Sequence, residues 1–264
     1  MTPVTFDDVA GAYDTFVGRW TRAFLPALLR AARVERGQCV LDLATGTGES
    51  ALMVHDAVGA SGQVVGVDIS LPMLRGAAAK VDRRRIGLAA MDGQALACRA
   101  ASFDAVVCQL GLMFFPDPVA GARECRRALR PGGAFGSLVW AGAERVPWFG
   151  PLAAGLLERF PQRRDEIVRG ASLGEPGRLE HVLTAAGLRD VAVTAETQAI
   201  AFESFDDYWR LVETGAIRVG LLLRDLPDDA VHAIRARAHE ALSRFESGGR
   251  LSVPTTALVG VGRS

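Results

Sequence analysis

The sequence predicts a doubly wound α/β domain built on a mostly parallel sheet. Short apolar runs that end in Gly or Asp alternate with helical patterns, which is typical of βαβ units. The first of these runs leads directly into a glycine-rich turn, VLDLATGTGES at residues 40–50. A chain of 264 residues, 49% of them hydrophobic, can bury the core that such a fold requires.

Turn residues bound each predicted strand, and an amphipathic pattern marks each predicted helix. The predicted strands are 39–44, 63–69, 86–92, 103–111, 133–140, 191–197 and 255–262. The predicted helices are 48–58, 71–82, 118–130 and 175–188, with one that follows a turn within 144–160 and two more between 205 and 245. The third of these helices should end where the sequence PGG begins.

Four segments follow from this order. They are an N-terminal helical lead-in or cap at 1–38, a Rossmann-like core at 39–202, a helical lid insertion at 203–253, and the last strand of the core sheet at 254–264. Insertions between late strands commonly cover the carboxyl edge of a parallel sheet, where ligands bind. We therefore expect the lead-in and the insertion to enclose a binding site.

The charge balance favours a small molecule as the binding partner, and the cysteine spacing argues against a metal site. Acidic and basic residues are balanced at 30 each, so the net charge attracts neither nucleic acid nor an anionic membrane. The four cysteines lie far apart without a C-x-x-C pair, which argues against a zinc site and against disulfides. The acidic N-terminus does not resemble a signal peptide, and no apolar run approaches the roughly 20 residues of a membrane span. We expect a reduced, cytoplasmic protein with no metal and no membrane insertion.

The glycine-rich turn matches a nucleotide-binding fingerprint. Gly46, Gly48 and Ala51 satisfy the pattern G-x-G-x-x-A, and Asp68 closes the second strand where a ribose-binding carboxylate is expected. Alone, this pattern fits a nicotinamide cofactor and S-adenosylmethionine nearly equally, because both place an adenosine over the first two strands.

Three features favour S-adenosylmethionine. The loop that follows Asp42 is small, so its backbone can approach a bound amino-acid group closely. Asp92, in the sequence MDGQAL at the end of the third strand, can accept a hydrogen bond from an adenine amine. Lys80 has no tyrosine four residues before it, as the catalytic lysine of a short-chain dehydrogenase would.

Five segments together resemble the successive motifs of class I S-adenosylmethionine-dependent methyltransferases, most of all the UbiE-like branch of ubiquinone and menaquinone biosynthesis. They are VLDLATGTGES, VVGVDISLPML, MDGQAL, FDAVVCQLGLMFFPDP and ALRPGGAFGSLVW, in this order. The lead-in YDTFVGRWTR is similar to the N-terminal segment of bacterial members, so the match spans roughly residues 10–140. The resemblance implies a seven-stranded sheet with an antiparallel last strand, and S-adenosylhomocysteine as a product.

The resemblance also assigns residues to each part of the cofactor. Asp68 would bind the ribose hydroxyls, and the adenine would be contacted by Ile69, Met73, Asp92 and Gly93. The methionine portion falls to Ala44, Gly46, Gly48 and Gln109, with Asp42 orienting the loop. Thr45 stands where many relatives carry Cys or Gly, which a backbone contact should tolerate. We also expect the Tyr13 hydroxyl to reach either the methionine end of the cofactor or the nucleophile, with its ring facing the sulfonium.

Methyl transfer requires mainly that donor and nucleophile are aligned and that water is excluded. The sequence therefore leaves the catalytic residue unknown, with His232 and His239 as outside candidates for a base. Aromatic residues of the lead-in and of the strand ends could form either core or a pocket for a small, apolar or aromatic acceptor. The O, C or N atom that is methylated and the oligomeric state, a homodimer included, stay open. Two alternative functions also stay open: a cyclase or decarboxylase that uses the bound cofactor, and a scaffold that binds it without transferring methyl.

Overall fold

The computed structural model describes the backbone of residues 10–264 and the side chains of residues 14, 16–216 and 219–264. Over this range one sheet contains eight strands: β1 Cys39–Leu43, β2 Gln63–Asp68, β3 Ile86–Ala90, β4 Phe103–Gln109, β5 Leu129–Trp140, β6 Arg189–Phe202, β7 Glu246–Ser247 and β8 Arg250–Arg263. The α-helices of the same range are α1 Ala10–Ala31, α2 Glu49–Val58, α3 Leu71–Ala78, α4 Pro118–Ala128, α5 Gly150–Arg159, α6 Arg164–Val168, α7 Arg178–Ala185, α8 Phe205–Gly215, α9 Ile217–Arg224 and α10 Asp228–Leu242. None of these described helices is long and apolar enough to cross a membrane.

The strand directions confirm the predicted fold class, a mostly parallel sheet with an antiparallel last strand. The strands lie in the order β3-β2-β1-β4-β5-β8-β6, and the two-residue β7 pairs with β8. Strand β8 runs antiparallel to both β5 and β6, whereas the pairs from β3 to β5 are parallel. The direction of winding reverses between β1 and β4, and in open α/β sheets a ligand-binding crevice opens beyond the carboxyl ends of the strands at such a point.

The third predicted helix is shorter than expected. It was predicted to continue to Arg130, but α4 ends at Ala128 and β5 begins at Leu129, which pairs with Phe103 of β4. Pro131 explains the difference, because the residue before a proline is disfavoured in the helical region. Arg130 therefore adopts extended backbone, and β5 begins earlier than residue 133.

The last two long strands and the insertion also differ from the prediction. Strands β6 and β8 extend well past 191–197 and 255–262, because they pair with each other from Ala192 with Val261 to Phe202 with Leu251. Within 205–245 the structure forms three helices instead of two. The extra break lies at Ala216, whose non-helical backbone angles of φ −82° and ψ 76° separate α8 from α9.

Helix α1 lies against the sheet and also contacts α2, α3 and α8. Its contact with β5 is close at Gly136, where an added Cβ atom would lie 2.9 Å from Leu28 Cδ1 and 3.1 Å from Ala32 Cβ. The missing side chain therefore lets the helix approach the strand. This contact places the first half of α1 beside the carboxyl edge of the sheet.

We expect Gly136→Val to lower the free energy of unfolding by about 1–3 kcal/mol, because the new methyl groups overlap α1. The matched control is Gly87→Val in β3, where an added Cβ atom meets its nearest neighbour at an ordinary 3.8 Å. The control should stay within about 0.5 kcal/mol of wild type in guanidinium chloride unfolding. Equal effects at both positions would contradict the close packing of α1.

Candidate functional site

The glycine-rich turn connects β1 to α2 through several left-handed residues. Gly46 and Gly48 have φ angles of 54° and 85°, and Ala44 has φ 57°, which is unfavourable for a residue with a side chain. At Gly48 an added Cβ atom would lie 3.0 Å from Ala77 Cβ, so the loop and α3 are in close contact. The strain at Ala44 is consistent with a functional loop, since such angles persist only where the surroundings impose them.

Asp42 holds this loop through buried hydrogen bonds. Its side chain is fully buried, and its Oδ2 atom accepts hydrogen bonds from Thr45 Oγ1 at 2.5 Å and Ser50 Oγ at 2.6 Å. Its Oδ1 atom has no hydrogen-bond partner among the described residues. Burial raises the pKa of Asp42 to about 6, although the two hydroxyl groups oppose this shift. Asp42 therefore acts on the shape of the loop.

Asp68 ties the same loop to the end of β2. Its Oδ2 atom accepts a hydrogen bond from the Gly46 N–H at 2.8 Å, and its Oδ1 atom accepts one from the Ser70 N–H at 2.9 Å. Burial raises the pKa of Asp68, and the backbone hydrogen bonds limit the rise. Each carboxylate oxygen has a further lone pair, so Asp68 can still accept hydrogen bonds from a ligand.

The next two strands contribute a carboxylate and an amide. Asp92 follows β3, is exposed, and accepts a hydrogen bond from the Gln94 N–H at 2.8 Å. Gln109 ends β4 and is 8% exposed, and neither atom of its amide group has a hydrogen-bond partner within the described part of the chain. A buried amide without partners is costly, so Gln109 offers hydrogen bonds that a ligand could complete.

These residues surround a cavity of about 1050 Å³, here called the glycine-loop cavity. Of the predicted site residues, it is lined by Ala44, Gly46, Asp68, Ile69, Met73, Asp92, Gly93 and Gln109. Three others, Asp42, Thr45 and Gly48, are not part of its lining and lie in or beneath the loop. The side chain of Tyr13 lies outside the described residues.

Apolar side chains also line this cavity. Ile69 and Met73 are both part of the lining, and Ile69 is 71% exposed whereas Met73 is buried. The ring of Phe115 lies so close to Gly93 that an added Cβ atom would be 2.4 Å from it. Gly93 was predicted as a backbone contact, and this packing gives a second reason for glycine. The pattern around DG alone did not indicate the contact with Phe115.

A second cavity of about 870 Å³, here called the aromatic cavity, opens beside the first. Its lining includes Phe16, Trp20, Phe114, Trp140, Trp148 and Phe149, together with residues of α8, of α9 and of segment 166–171. Among the described residues, Leu110 and Phe114 line both cavities. Residues of the lead-in and of the insertion therefore both contribute to the wall of this cavity.

Glu166 is the one ionisable side chain in the lining of the aromatic cavity over the described residues. Arg163 donates to both of its carboxylate oxygens, at 2.8 Å and 2.9 Å. The sequence analysis did not identify this pair. Its only sequence signal is an ordinary spacing of three residues on a helix, which is common on solvated surfaces.

The histidines lie elsewhere. His232 and His239 border a separate surface groove that includes Phe205, Arg235 and Glu246. Neither these two nor His55 and His181 line the glycine-loop cavity or the aromatic cavity. The described residues also contain no cluster of His, Cys, Asp and Glu that could hold a metal ion. The structure thus gives no support to His232 or His239 as a base at this site.

Comparisons with known proteins agree with this geometry. A family described as a methyltransferase domain matches residues 40–133. Nocamycin O-methyltransferase of Saccharothrix syringae is 30% identical over 251 residues, which cover 84% of this chain and 90% of that protein. The ubiquinone/menaquinone biosynthesis C-methyltransferase UbiE of Xylella fastidiosa is 35% identical over 137 residues, which cover 50% of this chain and 52% of that protein.

A solved structure shows the same fold. Phosphoethanolamine N-methyltransferase 2 of Haemonchus contortus, in complex with phosphomonomethylethanolamine and S-adenosylhomocysteine, superposes with a TM-score of 0.62 at 19% identity. The match covers 99% of this chain and 60% of that one. The fold is therefore a Rossmann-like α/β fold. By its sequence relatives, the chain belongs to the class I S-adenosylmethionine-dependent methyltransferases, in their UbiE-like branch.

The raised pKa of Asp42 predicts a pH-dependent stability. Between the ordinary value of 3.8 and about 6 the folded state binds the proton more tightly than the unfolded state. The contribution of Asp42 to the free energy of unfolding therefore falls as pH rises through this window, by on the order of 3 kcal/mol. Asp42→Asn lacks this titration, so from about pH 4 to about pH 7 it should gain that much relative to wild type.

The measurement is urea unfolding of both proteins at both pH values. Asp56→Asn is the control, because the Asp56 side chain is 87% exposed and should show no such gain. A difference between Asp42→Asn and wild type that is the same at both pH values would contradict the raised pKa.

Proposed function

We propose that this protein transfers a methyl group from S-adenosylmethionine to an O, C or N atom of a small apolar or aromatic molecule, leaving S-adenosylhomocysteine. The observation that carries the proposal is the junction of the two cavities at Leu110 and Phe114. A cavity that presents carboxylates and an amide suits the cofactor, and an adjoining, almost entirely apolar cavity suits the acceptor. In that arrangement the two molecules meet at the junction.

The described residues fit the cofactor. We assign the ribose hydroxyls to Asp68, which keeps free lone pairs after accepting two backbone hydrogen bonds. Ile69 and Met73 would contact the adenine ring, and the exposure of Ile69 is explained if the ring covers it. Asp92 and the Gly93 backbone would hold the polar edge of the adenine.

The methionine portion would lie on the loop backbone at Ala44 and Gly46, near the amide of Gln109. The unpartnered atoms of that buried amide support this assignment, since a ligand with both ammonium and carboxylate groups could satisfy them. Asp42, Thr45 and Gly48 would act indirectly, by holding the loop in shape. When bound, the cofactor supplies an electrophilic methyl group on a sulfonium.

The aromatic cavity would bind and orient the acceptor while excluding water. Its rings offer a large apolar surface, which favours a neutral molecule, and the Glu166 carboxylate in its lining is bound by Arg163, which also pairs with Asp225. Alignment of two bound molecules can itself supply about 7–11 kcal/mol of the barrier reduction. Two relatives support such an acceptor, since their names describe O-methylation for nocamycin and C-methylation in ubiquinone and menaquinone biosynthesis.

Cofactor choice and reaction class can be tested directly. Isothermal titration should show binding of S-adenosylmethionine and none of NAD, and labelled methyl from the cofactor should appear in a small molecule of a cell extract. Tight NAD binding without binding of the sulfonium compound would overturn the proposal. Conversion of an added acceptor without formation of S-adenosylhomocysteine would indicate a cyclase or a decarboxylase instead.

Asp68→Ala should weaken S-adenosylhomocysteine binding by about 1–3 kcal/mol, because it removes the proposed ribose acceptor and the tie to Gly46. Asp56→Ala, at an exposed position of α2, is the control and should bind as wild type does. Calorimetry measures both affinities. An unchanged affinity in Asp68→Ala would place the cofactor elsewhere.

Ala171→Phe should block methyl transfer while leaving S-adenosylhomocysteine binding intact, because residue 171 lines only the aromatic cavity. The control is Ala100→Phe, at an exposed loop position that lines neither cavity, and this variant should transfer methyl normally. Transfer to extract molecules and cofactor affinity are measured in parallel. Normal transfer by Ala171→Phe would show that the acceptor does not occupy this cavity.

A further inference from the structure

We propose that Asp14 is a positioning residue that couples the occupancy of the glycine-loop cavity to the shape of the aromatic cavity. The proposal rests on the function above, which places the cofactor in the first cavity and the acceptor in the second. Asp14 lies on α1, just before Phe16, Val17 and Trp20, which line the aromatic cavity. One helix therefore contacts both sites.

The contact of Asp14 with the loop lies between the two glycines. Thr47 Oγ1 donates a hydrogen bond to Asp14 Oδ1. Thr47 is 3% exposed and stands between Gly46 and Gly48, whose N–H groups are bound by Asp68 and by the Thr45 carbonyl. The Thr47 hydroxyl therefore joins α1 to a loop segment that is itself held on both sides, so a displacement of the loop is passed to α1.

A third element joins at the same carboxylate. Lys80, which follows α3, forms an ion pair with Asp14 Oδ2. Helix α3 begins directly after Ser70, whose N–H is bound by Asp68, so it is continuous with the proposed ribose site. Asp14 thus links α1, the glycine loop and the far end of α3.

A displacement of the loop would be transmitted along α1. Six residues separate Asp14 from Trp20, which is about 9 Å of helix, and a helix of this length moves as a unit. Trp20 stacks on Trp148 with ring centroids 5.2 Å apart and meets Trp140 edge-on at the same distance. Closely packed rings adjust together, so movement of α1 changes the wall of the aromatic cavity.

Another link between α1 and α2 is less suited to this role. Arg22 donates to Glu49 at 2.6 Å, but the Arg22 side chain is 58% exposed and solvent screens the pair. The Lys80 side chain is 29% exposed, so its ion pair is also partly screened. We therefore assign the coupling mainly to the hydrogen bond between Asp14 and the buried Thr47 hydroxyl.

Tryptophan fluorescence can report this coupling. After Trp209→Phe, the remaining tryptophans Trp20, Trp140 and Trp148 all line the aromatic cavity, and none of them lines the glycine-loop cavity. Saturation of this protein with S-adenosylhomocysteine should change its emission. In the same background, Asp14→Asn and Thr47→Val should lose at least half of that change and bind S-adenosylhomocysteine about threefold to tenfold more weakly.

Two variants separate coupling from general damage. Thr47→Ser keeps the hydroxyl group and should therefore retain the emission change that Thr47→Val loses. Arg30 lies on α1, as Asp14 does, and forms an exposed ion pair with Glu196 of β6. Arg30→Met removes this pair and should behave as the background protein does.

Full emission change in Asp14→Asn and Thr47→Val would overturn the proposal, with or without weaker binding. Loss of the change in Thr47→Ser or Arg30→Met to the same extent would also overturn it. If the background protein itself failed to bind S-adenosylhomocysteine, the proposed function would fail too, so the two failures are distinguishable.

Discussion

The buried carboxylate of Asp42 is the constraint on which the rest of the site depends. One of its oxygen atoms receives two hydroxyl groups, from Thr45 within the loop and from Ser50 in the first turn of α2. Asp68 holds the same loop from the side through the Gly46 N–H. Ala44 and Gly46 then line the cavity. Loop shape thus depends on one buried side chain that does not line the cavity, Asp42, and on one that does, Asp68.

The two cavities differ in the polar groups that line them, and this difference suits methyl transfer. The glycine-loop cavity presents two carboxylates and an amide, whereas the aromatic cavity is almost entirely apolar. A transition state that disperses positive charge needs alignment and exclusion of water more than it needs an acid or a base. The position of the histidines outside both cavities agrees with such a mechanism.

The sequence predicted the parts of the fold that are governed by local pattern. The first five strands and the glycine loop follow from apolar runs, turn residues and a short motif, whereas the antiparallel last strand was implied by the family resemblance. Long-range pairing determines what was missed, as in the extension of β6 and β8 along each other. Proline restricted Arg130 and ended α4 before the position that periodicity indicated.

Site prediction had a similar limit. Residues at motif positions, such as Asp68 and Gln109, do line one cavity, because strand ends of a parallel sheet meet at one edge. The wall containing Glu166 and the contact between Asp14 and Thr47 join segments distant in sequence, and no local pattern marks them. The contact of Phe115 with Gly93 is of the same kind.

The small overlap between the two cavities has an evolutionary consequence. Among the described lining residues they share Leu110 and Phe114, so most of the aromatic wall is built from chain segments that do not touch the other cavity. The segments after β5 and β6 can therefore change in sequence and reshape the aromatic cavity while the lining of the glycine-loop cavity stays constant.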